Sequence, residues 1–144
     1  MIRTSVKVTG GHRVRAHIRN TQRKGPKAVD VGFFPNSKYP DGTYVSSVAM
    51  FNNYGTDNIP ARPFFDQFSE ESQDIMRDVA AVSPPVMDGV ANQLANELEA
   101  RLRQIIRDWT EPPNAPSTIA KKGRDEPLVD TELMLNSVDH RVED

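Results

Sequence analysis

The chain has 144 residues, a formal net charge of −2 and no cysteine. That length suits one domain able to bury about two-thirds of its unfolded surface, so no disulfide or metal is needed for folding. Disulfide scaffolds, thiolate metal sites and cysteine nucleophiles are excluded. No apolar run approaches the roughly 20 residues of a membrane-spanning helix, and the first residues lack the apolar stretch of a secretory signal. The expectation is a soluble chain made in the cytoplasm.

In residues 5–9, Val6 and Val8 alternate with polar neighbours, as in a half-buried strand, and Gly10 and Gly11 close the run. Residues 12–18 extend a second strand or open a helix; periodicity leaves both readings open. Residues 23–27 read as a polar turn or a mobile loop. Residues 28–34 carry Val29, Val31, Phe33 and Phe34 and end at Pro35, which predicts the best strand of the chain. A turn-rich loop follows, with Asp41-Gly42 as its turn signal.

Thr43 is the expected N-cap of a short helix through Tyr54, with Val45, Val48, Ala49 and Phe51 or Asn52 at helical spacing and Gly55 as its stop. Pro60 and Pro63 impose an extended backbone on residues 56–65. Two helices are predicted next, over 65 to about 82 and over 85–109, separated by Ser83-Pro84-Pro85. In the second, Leu94, Leu98, Leu102, Ile105, Ile106 and Trp109 form an apolar stripe that belongs to a core. Residues 111–127 read as a long, mobile connection. Thr131 is the expected N-cap of a helix over 132–137, and 138–142 form a strand beside the central one.

The fold class expected is α+β: a small antiparallel or mixed sheet against two longer helices, with long loops. One domain spans 1–144, with a basic segment at 1–27, a core at 28–110, the mobile loop at 111–127 and a C-terminal helix and strand at 128–144.

Charge is unevenly placed. Through residue 27 every formal charge is positive, whereas residues 66–99 are mostly acidic with Arg77 the exception. Such asymmetry suits a nucleic-acid arm, complementary faces between subunits, or an ordinary solvated surface. Arg13, Arg15, Arg19, Arg23 and Lys24 are therefore candidates for contact with DNA in a channel or with a neighbouring subunit. No nucleophile–base pair, phosphate loop or metal-ligand spacing is present; His12 and His17 make neither HExxH nor HxH. No catalytic, metal or cofactor site is expected.

Several stretches together carry a resemblance. They are Val31-Gly32-Phe33-Phe34, then Tyr39-Pro40-Asp41-Gly42, then Tyr54-Gly55-Thr56 leading into Ile59-Pro60-Ala61-Arg62-Pro63-Phe64. In this order they resemble the V-G-F, N-E-F-G-T and I-P-A-R-P-F core of the HK97 gp10-like family of phage neck proteins. The stretch from Pro127-Leu128-Val129-Asp130-Thr131 through Val138 is similar to that family's P-L-I-D-T-G tail end. The chain departs from the pattern at Asn53, where the family often has Glu, and at Glu132, where it commonly has Gly.

The resemblance implies a non-enzymatic virion protein: a tail-completion or head–tail joining subunit, forming a ring, expected to be a hexamer. It would sit between the portal-side connector and the tail terminator, around a channel carrying packaged DNA, after assembly in the host cytoplasm. No cofactor and no membrane partner are implied. A tail terminator or minor tail protein is the alternative within the particle, and a DNA-binding module the alternative of another class. Arg62, Pro63 and Phe64 are candidate subunit contacts, Arg62 through a bidentate carboxylate pair, unless the segment only packs Phe64 while Arg62 faces solvent. Lys121, Lys122 and Arg124 face a neighbouring ring or the channel, or are plain loop residues.

Overall fold

The computed structural model describes residues 2–9, 13–20, 26–81, 87–123, 125, 127–128 and 132–143, with backbone alone at 2–6, 8–9, 17–20, 26–27, 80–81 and 87–88. The architecture is α+β. Strands β1 (Ile2–Thr9), β2 (Arg13–Asn20) and β3 (Pro26–Phe33) are followed by helices α1 (Val45–Tyr54), α2 (Phe64–Ala81), α3 (Met87–Asp108), α4 (Pro116–Lys122) and α5 (Leu133–Asn136), and strand β4 (Val138–Glu143) ends the chain. The sheet is four-stranded in the order β1-β2-β3-β4, antiparallel at every step.

Alternation decides which face is covered. Val14, Ala16, Val29, Val31 and Phe33 turn to one side and are buried, as period-two patterning requires. Against that face α2 lies over β1, and α3 lies over β3 and β4. The stripe read along the second long helix is buried: Leu94, Leu98, Leu102 and Ile106 are at most 1% exposed. Phe33 and Phe65 meet edge-on with centroids 5.9 Å apart, and Phe64 and Phe65 lie 4.7 Å apart, within the range where aromatic pairs add to simple burial. Glu71 on α2 pairs with Arg101 on α3, so a charge contact flanks the apolar seam.

Among the described residues no helix is seen to cover the opposite face. Its rows follow the register Lys7↔Arg15, Arg15↔Asp30 and Asp30↔Arg141. Arg15 grips Asp30 with both arms, Nε to Oδ1 at 2.7 Å and a terminal nitrogen to Oδ2 at 2.6 Å, and the same nitrogen reaches Glu143 at 2.9 Å. These partners raise the Arg15 pKa above its usual value, the Asp30 bond most of all. Phe34 is 1% exposed yet stands outside the main core cluster. Its ring is covered instead by the guanidinium groups of Arg13, 5.7 Å from the centroid, and Arg141, 4.0 Å away.

One open reading is settled and three local expectations are corrected. From Arg13 the undecided segment is the strand β2, because Val14 and Ala16 need the period-two face. Tyr44, not Thr43, precedes α1, and it makes no side-chain cap bond; the Thr43 amide is turned back onto Asp41 Oδ1 at 2.9 Å. Phe51 is 40% exposed and does not join the buried side of α1, which is Val45, Ala49 and Asn53. The connection at 111–127 contains a helix, α4, with Pro116 in its first turn and Gly123 closing it at φ 74°, the asymmetric pair of signals that start and stop helices. Ser83 to Pro85 and Thr131 lie outside the described residues.

Candidate functional site

Three of the resemblance stretches converge on one groove of about 980 Å³. Tyr39, Pro40 and Asp41 form one wall, Asn58 to Pro60 with Arg62 another, and Leu128, Leu133 and Met134 a third, while α1 contributes Val48 and Asn52 and α4 contributes Thr118 and Lys122.

Each wall has a local cause. Tyr39-Pro40-Asp41-Gly42 closes as a turn through Gly42 N–H to Tyr39 O at 2.9 Å, and the Tyr39 amide returns to Thr43 O at 2.8 Å. Bonds from Thr43 pull the exposed Asp41 carboxyl below its ordinary pKa. Gly55 ends α1 at φ 76°, and a Cβ there would lie 2.8 Å from the Ala61 nitrogen. Both facts require glycine. Thr56 then holds a tight loop, its Oγ1 accepting the Asn58 and Ile59 amides at 3.2 and 3.1 Å. On the third wall α5 begins after Glu132, which takes φ 61°. This is the left-handed region, which favours glycine.

Arg62 is 5% exposed. Its Nε donates to Pro112 O at 3.0 Å, and its terminal nitrogens donate to Pro113 O at 3.2 Å and Asn52 Oδ1 at 3.3 Å. Desolvation lowers its pKa, while the charge of Asp125 opposes that shift. Among the described residues its partners are main-chain carbonyls and an amide oxygen, and at 5% exposure it does not face solvent, which corrects the solvent-facing reading. Arg62 precedes α2, and Pro112 and Pro113 follow α3, so the guanidinium latches the open end of the α2–α3 hairpin. Phe64 is wholly buried, and Pro63 is exposed beside it.

Asn53 is 2% exposed and accepts the Phe65 amide on Oδ1 at 2.9 Å. It thus satisfies one of the open amides in the first turn of α2, the place where an acidic group is also favoured. The signal in the sequence was two asparagines, poor helix formers, ending a helix.

Lys121 and Lys122 close α4, where cations favour the helix dipole; Lys122 lines the groove and Lys121 is exposed. Of the basic residues of the N-terminal stretch, Arg3, Lys7, Arg13, Arg15 and Arg19 have their backbone in β1 and β2, and Lys27 in β3, so these are sheet residues and not an arm. Arg13 lies on Phe34, and Arg15 is ion-paired. Arg19 is placed by register opposite Arg3, while Arg23, Lys24 and Arg124 lie outside the described residues.

The groove combines apolar walls with amide and cationic groups. Among the described residues lining it, Asp41 is the one carboxylate, and histidine does not line it. A second cluster joins Glu99, Asp139 and His140, whose donor atoms lie within 4.8 Å of one another. Arg103 already holds Glu99 at 2.9 Å and His140 contacts its other oxygen, so the cluster is a polar network linking β4 to α3. Beside the groove, Tyr44 and the α1 residues Met50, Phe51 and Tyr54 are exposed large apolar side chains, of the kind that contact surfaces gather. Among the described residues no helix is long and apolar enough to cross a membrane. Comparison with protein-family models, with curated proteins and with solved structures returned no match.

Proposed function

We propose that the chain is a structural subunit of a tailed-phage particle, a ring-forming neck or tail-completion protein that joins the head connector to the tail. The observation that carries this reading is the convergence of motif stretches far apart in sequence on one groove, each by a specific internal contact. Gly55 packs on Ala61, Arg62 latches the α2–α3 hairpin, and Glu132 occupies the left-handed position where the resembling family has glycine. The order and spacing that carry the resemblance therefore have a physical reason in this chain. The exposed apolar side chains of α1 beside the groove add a surface suited to a neighbouring subunit. In this reading the mechanism is docking, and the protein resides in the virion.

The test is negative-stain microscopy with mass measurement, on the purified chain and on particles made without it. Rings of the chain, together with separate full heads and tails in its absence, are the expected result. A monomeric chain alongside normally joined particles overturns the proposal.

A further inference from the structure

The sheet ends in two open edges. β1 is eight residues long and pairs one-to-one with β2 along its whole length; it contains neither proline nor bulge. A long, regular edge of this kind is a template for another strand, and proteins that stay monomeric usually blunt it. β4 is the other edge, and on it Val142 is 36% exposed.

Three antiparallel steps make β4 run opposite to β1. Rotation about an axis along the strands preserves direction, so the β1 of a rotated copy is still antiparallel to β4. An even number of strands lets a cyclic assembly continue the alternation without a break. An odd number would force a parallel seam.

Charge and strand overlap together select the register. Pairing must keep odd residues opposite odd ones, so that the helix-covered faces stay on one side. If the rows simply continue at the same level, Arg141 faces Lys7 of the next copy, like against like. A shift of two residues one way sets Glu143 opposite Lys7 but carries residues 138–140 past the end of β1. A shift of two the other way aligns Asp139 with Lys7, Arg141 with Ser5 and Glu143 with Arg3, and all six β4 residues then fall within β1. Asp139 and Lys7 are both exposed. The stagger also has the form that closing a sheet into a barrel demands.

We propose that β4 of one copy pairs antiparallel with β1 of the next, Asp139 opposite Lys7, so that the ring is built on a continuous β-sheet. This inference rests on the ring-forming reading above.

The experiment uses the purified full chain at concentrations where rings form. Zero-length carbodiimide cross-linking is combined with peptide mapping and native mass measurement. Within one copy β1 and β4 are three strand spacings apart, about 14 Å, so a Lys7–Asp139 link reports two copies. That link is expected in the ring fraction. Lys7→Asp and Asp139→Lys are each expected to raise the concentration needed for half-assembly about tenfold or more, and the double reversal to restore it. Circular dichroism verifies that these surface variants fold. Rings unaffected by either single reversal, with links mapping elsewhere, overturn the edge pairing and leave the ring reading standing. A chain monomeric at every concentration overturns both.

Discussion

Replacing Arg62 with alanine removes every donor that spans residues 52, 112 and 113. Bonds to an ionised donor contribute about 1.5–3 kcal/mol each by mutational measures. Two of the three here have good length, at 3.0 and 3.2 Å, and the third, at 3.3 Å, is weak. The same burial that lowers the Arg62 pKa offsets part of the gain. Arg62→Ala is therefore expected to lower stability by about 3 kcal/mol, and Arg62→Lys, whose ammonium is a compact point charge, by about half that. For a domain of this size about 3 kcal/mol is a melting-temperature drop near 10 °C. Urea unfolding followed through Trp109, the single tryptophan, gives the free energy. Limited proteolysis at residues 111–115 reads the latch itself and should accelerate in both variants. A loss below about 0.5 kcal/mol with unchanged cleavage would show that the latch contributes nothing.

Three further expectations concern single residues. Gly55→Ala should destabilise by more than about 2 kcal/mol, because positive φ and a 2.8 Å backbone approach act together; Gly42→Ala, with positive φ and nothing within 4 Å, should lose only about 1 kcal/mol. Equal thermal shifts in the two variants would contradict this. Glu132→Gly should stabilise by roughly 0.5–1 kcal/mol by relieving a left-handed residue with a Cβ, and a lower melting temperature would count against that backbone assignment. Glu71 is held below its usual pKa of 4.5, chiefly by the bond from Arg101. Because the folded pKa is the depressed one, its contribution is full above the unfolded value and is lost as pH falls through the folded one. Glu71→Gln should thus be less stable than the wild-type chain at pH 7, with the gap closing in urea midpoints taken at pH 4.5 and below; a constant gap would refute the pairing.

Much of the fold is legible wherever a single periodicity runs long enough to outweigh local signals. Residues 28–34, the Leu94 to Ile106 stripe and the closing strand all have it. β2 was ambiguous because Val14 and Ala16 give only a short alternation, and the arginines beside them, Arg13 and Arg15, suit a helix equally well. α4 was missed for a different reason: Pro116 and Gly123 punctuate chains whether they bound a loop or a helix, and α4 buries no residue that could add an apolar pattern. The motif stretches pointed to the groove's residues but not to their roles. Arg62 looked like a surface group because its acceptors are main-chain carbonyls 50 and 51 residues away, and carbonyls leave no trace in side-chain identity. Asn53 likewise caps a helix other than its own.

The ring of Phe34 beneath Arg13 and Arg141 changes what the open face of the sheet can hold. A polyanion that drew either guanidinium toward itself would uncover the phenyl ring and forfeit the cation–π contact, a penalty of about 1–2 kcal/mol per site. Arg15 carries a similar restraint through Asp30 and Glu143. These strands therefore project positive potential while resisting adhesion, and their arginine count overstates how tightly this surface would retain a charged polymer moving across it.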